Sequence, residues 1–149
     1  MAYTEQIWDT TSYVNPTRMN HIEDGIKTAN DEVDKLDLVV TGHTISSTVL
    51  PNNETKEIAT INCTKRGFKN IYGWVNFREI TSFANNGVVE LSIEVDGTRV
   101  YEQQTESTNA SRKIFSISGL YNVNANSVIK IKVFQNTGAS CNYTASLFY

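Results

Sequence analysis

Apolar residues follow two different periods along the chain, and the change comes just after Leu36. Before it, Met19, Ile22, Ile26, Ala29, Val33 and Leu36 recur at alternating steps of three and four residues, which places all six on one narrow seam of a helix. Arg18, Glu23, Gly25, Asn30 and Glu32 flank that seam. A helix that packs on its own domain carries a wider apolar face, so this stripe predicts association with other copies of the chain. Asn15 suits the N-cap and Pro16 the first turn, where a missing N–H costs nothing. Met19, Ile26 and Val33 form one type of core layer and Ile22, Ala29 and Leu36 the other, a mixture compatible with two or three strands. Gly25 weakens the helix by about 1 kcal/mol relative to Ala, so the segment needs support from elsewhere.

Beyond Leu36 the period falls to two. About eight runs rich in Val, Ile, Thr, Phe and Tyr follow: one or two within Leu38 to Val49, interrupted at Gly42-His43, then Glu57 to Thr64, Phe68 to Ile80, Val88 to Val95, Thr98 to Gln104, Lys113 to Leu120, Val128 to Gln135 and Ser140 to Tyr149. Turn formers such as Pro51-Asn52-Asn53, Asp96-Gly97 and Asn136-Thr137-Gly138 separate them. Val89, Leu91, Ile93 and Val95 alternate with Glu90, Ser92 and Glu94 up to Asp96-Gly97, the dipeptide that a two-residue hairpin turn demands. The last run points Cys141, Tyr143, Ala145, Leu147 and Tyr149 one way, and its apolar ending predicts a strand held in the middle of a sheet. Eight antiparallel strands in this length predict a mainly β fold, an antiparallel sandwich of jelly-roll type preceded by one coiled-coil-like helix, with a small barrel as the alternative. The expected organisation is an anchoring segment 1–14, a helical stalk 15–36 and a β-sandwich head 37–149.

One run breaks the alternation. Around Gly73, Ile71, Val75 and Phe77 face one way and Tyr72 and Trp74 the other, so both faces need cover. The sandwich core supplies one. A neighbouring subunit, a sugar or a loop supplies the other, and the upstream helix favours the subunit. The expected oligomer interface therefore comprises Met19, Ile22, Ile26, Ala29, Val33, Leu36, Tyr72, Trp74, Tyr143 and Tyr149.

Composition narrows the function. The net charge of −3 is mild and the basic residues are scattered, which argues against nucleic acid as a partner. No apolar run approaches the length of a membrane span, and MAYTEQIWDTT lacks the basic start and apolar middle of a signal peptide, so a soluble product of the cytosol is expected. Ile7, Trp8 and Tyr13 in residues 1–14 suit docking on a partner protein, and Val14 could staple onto the first helical turn. Cys63 and Cys141 make no metal-ligand spacing with each other or with His21 and His43, and two buried free thiols are expected. The four Asn-x-Ser/Thr triplets are about what chance yields with 16 Asn in a Ser/Thr-rich chain. His21, on the outward face of the helix, and His43, in a Gly-containing turn, read as surface residues. Glu90 and Glu94 share a strand face, but four residues of strand span about 13 Å, beyond the carboxylate separation of either glycosidase type. No enzyme, cofactor or metal is expected.

The segment IWDTTSYVNPTRMNHIEDGIKTA resembles a short N-terminal motif of bacteriophage tail, baseplate and fibre proteins, with Asn20, Ile22, Glu23, Gly25 and Ile26 at its centre. The C-terminal GLYNVNANSVIKIKVFQNTGASCNYTASLFY resembles the last strands of trimeric jelly rolls of the C1q and tumour-necrosis-factor type, departing from them at Ala125-Asn126. These resemblances imply a virion component made in the host cytoplasm: a small homotrimeric fibre or appendage subunit, joined to other virion proteins through residues 1–14 and able to meet a host-surface glycan through its β head. A head-decoration, neck or baseplate part without a ligand is the alternative, and a carbohydrate-active enzyme the third reading. Because the helix is short and interrupted at Gly25, most of the trimer's stability is expected in the head. Deleting residues 1–36 should leave a folded, trimeric product by light scattering, whereas a monomer would assign the association to the helix.

Overall fold

The computed structural model describes residues 15–35, 40–80, 87–106 and 112–149. The chain divides into two units, 1–37 and 38–149. In the first, α1 (Pro16–Lys35) starts where the sequence places it. The Asn15 carboxamide oxygen accepts from the Thr17 N–H at 3.1 Å and the Arg18 N–H at 3.4 Å, and the Asn15 carbonyl accepts from the Met19 N–H at 3.2 Å. The two side-chain bonds satisfy donors that a helix start leaves without partners, and the carbonyl bond is the first of the helical ladder. Leu36 and the lead-in 1–14, including Val14, lie outside the described residues.

The second unit contains eight strands: β1 (Gly42–Leu50), β2 (Glu54–Asn62), β3 (Gly67–Arg78), β4 (Val88–Val95), β5 (Thr98–Glu106), β6 (Arg112–Val123), β7 (Val128–Gln135) and β8 (Cys141–Phe148). They form two antiparallel four-stranded sheets, β1-β8-β3-β6 and β2-β7-β4-β5. Apart from β4 to β5, each step along the chain changes sheet, which is the jelly-roll arrangement and not a closed barrel. The β4–β5 hairpin turns at Asp96-Gly97, both at positive φ (50° and 80°), as the two-residue turn requires. Gly42-His43 does not interrupt a strand. His43 belongs to β1, half-buried opposite Leu147, and not to a turn, because the β8 edge offers its backbone a ladder.

The core lies between the sheets and follows the alternation. Ile71, Val75 and Phe77 of β3, Val89, Leu91 and Ile93 of β4, and Ile129, Ile131 and Val133 of β7 are all excluded from solvent. Each contributes on the order of 1.5–3 kcal/mol by leaving water. The terminal strand β8 sits between β1 and β3, and Tyr149 extends its pairing: its N–H donates to the Thr41 carbonyl at 3.1 Å and its carbonyl accepts from the Thr41 N–H at 2.6 Å. Tyr143 corrects the expected interface. It is 1% exposed and packs beside Phe77 with ring centroids 6.4 Å apart, because its parity on β8 points it into its own core and leaves no surface for a partner. Cys63 and Cys141 are both buried and neither is in a disulfide, and burial pushes the Cys141 thiol up to about 11.

Polar side chains fasten both ends of the sandwich. At one end Gln135, fully buried, donates to the carbonyls of Leu50 (3.1 Å) and Ala139 (3.0 Å) and accepts from the Thr137 N–H and hydroxyl, both at 2.8 Å. All its hydrogen-bonding capacity is used, which is what makes a buried amide tolerable. At the other end the Asp96 carboxylate accepts from the Val128 N–H and the Ser127 hydroxyl, each at 2.8 Å, tying the β4–β5 turn to the β6–β7 loop. The Val128 bond first, then Ser127, holds Asp96 below its ordinary value of 3.8.

Two tests follow from this packing. Gly73 adopts φ 148°, and a Cβ there would meet the Ser146 carbonyl oxygen at 2.1 Å and the Leu147 Cα at 2.9 Å, both backbone atoms of the neighbouring strand. Gly73→Ala should therefore destabilise the head by roughly 3 kcal/mol, read by chemical denaturation. For Asp96 the folded pKa is depressed, so its contribution is complete above the unfolded value and is lost as pH falls through the lower folded one. Asp96→Asn should flatten that acidic part of the Tm-against-pH curve, and an unchanged curve would mean the turn is held by other groups.

Candidate functional surfaces

Because the inner faces are committed to the core, the outer faces are what the sheets offer to other molecules, and these differ in chemistry. Sheet β1-β8-β3-β6 turns Phe68, Tyr72 and Trp74 of β3 outward, at the parity opposite to Ile71, Val75 and Phe77. On β6, Ile114 and Leu120 take the outward parity opposite to Phe115 and Ile117. Tyr72 stacks on Phe148 of β8, centroids 5.1 Å apart and planes 14° off parallel, yet stays 39% exposed. Trp74 is 41% exposed and Leu120 68%. Ser116, Ser118 and Ser146 lie opposite these aromatics in the ladder, so rings and small hydroxyls alternate across the sheet. Arg112 Nε donates to Asn76 Oδ1 at 2.9 Å at the edge of this patch. Among the described residues no loop covers it.

The opposite sheet, β2-β7-β4-β5, faces outward with charge. Lys130 pairs with Glu57 at 2.9 Å, Lys132 with Glu94 at 2.5 Å, and Arg99 with Glu102 at 2.7 Å and Glu90 at 3.2 Å. Hydrogen bonding to Glu102 first, then the charge of Glu90, raises the Arg99 pKa. Glu57 is held low first by its bond from the Thr60 hydroxyl and then by Lys130, which is itself raised by Glu57. Ion pairs whose basic partner stays in water, as with Lys130 and Arg99, stabilise a fold little, so the ladder shapes the surface more than it stabilises it. Between these side chains opens a cleft of about 360 Å³ lined by Thr55, Glu90, Glu94, Arg99, Lys132 and Phe134.

The residues expected at an interface separate into groups. On α1, Ile22, Ile26, Ala29 and Val33 are exposed and Met19 is half-buried, so the seam faces solvent within the single chain. Tyr72 and Trp74 lie together on one outer face. Tyr149 is half-buried against its own core, and Tyr143, as above, is inside it. Sequence reasoning missed Phe68, Ile114, Leu120 and Phe148 as members of the Tyr72–Trp74 face. The signal existed for β6, where Ile114 and Leu120 occupy the parity opposite to Phe115 and Ile117. The cleft was not legible, since its six residues come from four strands.

No family model matches the chain, and no curated protein matches it. Among solved structures, a chain from the T13 particle of infectious bursal disease virus is similar at 14% identity over 73% of this chain and 30% of that one, with a TM-score of 0.50. A chain from T=1 particles derived from the same virus gives 16%, 73%, 31% and 0.49. An arabinose-bound α-L-arabinofuranosidase overlaps at 13% identity over 72% of this chain and 23% of that one, with a TM-score of 0.36. The chain thus spans about a third of the viral chains it matches, and what it shares with the T13 particle chain is the β-sandwich fold.

Proposed function

We propose that this chain is a virion structural protein, a small homotrimeric fibre or appendage subunit of a bacteriophage whose β head meets a host-surface glycan and performs no turnover. The observation that carries this reading is the outer face of sheet β1-β8-β3-β6. A soluble monomer rarely leaves an aromatic and aliphatic patch such as Phe68, Tyr72, Trp74, Ile114 and Leu120 uncovered, and such a patch marks an assembly surface. Further copies of the chain are its occupant, because the same chain carries a second uncovered apolar surface, the α1 seam of Ile22, Ile26 and Val33, which parallel copies close against one another. The N-terminal likeness to phage tail, baseplate and fibre proteins and a fold shared with viral particle chains support the virion setting. Residues 1–14 are the segment this reading assigns to attachment on other virion proteins.

Light scattering on the full chain should give a mass near three times 16.7 kDa. Trp74→Glu should lower that mass while leaving the β-sheet circular dichroism intact, since Trp74 lies outside the core of the single chain. A monomeric wild-type protein would overturn the assembly reading.

A further inference from the structure

The geometry points to the cleft on the outer face of sheet β2-β7-β4-β5 as a binding site for an uncharged saccharide. The inference rests on the reading above only for the source of the sugar, a cell surface. Ladder register builds the site. Thr55, Phe134 and Glu90 stand side by side on β2, β7 and β4, and one pair further along, Glu57, Lys132 and Ser92 do the same. Arg99 reaches from β5 to Glu90, and Lys132 donates to Glu94, so the two carboxylates are drawn down beneath the basic side chains. Their side chains are only 11% and 16% exposed, unusual for glutamates on the outer face of a sheet.

Three features select the ligand class. First, each carboxylate has one oxygen in use, Glu90 Oε1 by Arg99 and Glu94 Oε2 by Lys132. The other oxygens, Glu90 Oε2 and Glu94 Oε1, keep lone pairs that a ligand hydroxyl entering the cleft can use as acceptors. Second, the two acids and two bases of the lining cancel, so neither an anion nor a cation gains from entering, whereas paired hydroxyls can donate to the carboxylates and accept from Arg99 and Lys132. Third, Phe134 adds an apolar ring and Thr55 a hydroxyl, which match the C–H face and the hydroxyl edge of a sugar ring. A volume of about 360 Å³ falls at the small end of ligand sites, which run from roughly 300 to 1,000 Å³. The site also lies on the sheet opposite the one that carries Tyr72 and Trp74, so assembly through that face leaves the cleft open.

The test is an array of neutral and sialylated oligosaccharides probed with the full chain, followed by calorimetry with each saccharide that binds. Neutral saccharides should bind; Glu94→Gln should weaken binding by about tenfold or more, the scale of one hydrogen bond to a charged group, and Phe134→Ala by roughly tenfold through loss of the ring's contact with the sugar face. Thr55→Ala, at an exposed position outside the core, provides a variant whose folding is not at risk and should also weaken binding. Trp74→Ala should leave the Kd within about twofold. Absence of any neutral ligand, binding of sialylated glycans alone, or loss of binding in Trp74→Ala with none in the cleft variants would each overturn the site. A monomer that still binds neutral sugar would remove the trimer and leave the cleft standing, and a trimer that binds none would do the reverse.

Discussion

The structure depends on the mutual burial of two sheet faces that cannot exist apart. Six of the seven connections between strands pass from one sheet to the other, so neither sheet is a continuous piece of chain and only the β4–β5 hairpin can form locally. Burial of Ile71, Val75 and Phe77 against the inner residues of β4 and β7 is therefore the event that makes the ladders worth forming. Such pairings are distant in sequence, and loop closure precedes any return from them, which places this head among slowly folding topologies. Close approach within the sheets is part of the same constraint: Gly73 sits where the β8 backbone leaves no room for a Cβ.

Once the inner parity is committed, the outer parity is free to take on other work, and the two sheets have diverged. One carries rings and aliphatic side chains among small hydroxyls, a composition suited to contact with protein. The other carries a balanced ladder of acids and bases around a cleft, a composition suited to contact with water or with something that resembles water in its hydrogen bonding. A single sandwich thus presents two chemically different outer faces without any change to its core.

The loops at the ends are held by polar side chains and not by further apolar burial. Gln135 joins the β7–β8 loop to the end of β1, and Asp96 joins the hairpin turn to the β6–β7 loop. These ties link segments that the strand order alone would leave independent, and they do so with groups whose bonds are satisfied.

The helix start, the number of strands, the hairpin at Asp96-Gly97, the central position of the last strand and the two-faced character of β3 were all present in the sequence. Each depends on interactions within a few residues or on the period of two, which the chain carries in its own order. The strand order, the placement of His43 in β1 and the cleft were decided only by tertiary structure. They depend on which distant strands become neighbours: Glu90, Arg99 and Lys132 meet because β7, β4 and β5 lie side by side, and nothing in their spacing along the chain announces it. For the same reason the outer face around Tyr72 and Trp74 was half visible from β3 alone, and became a surface only when β6 and β8 brought Ile114, Leu120 and Phe148 beside it.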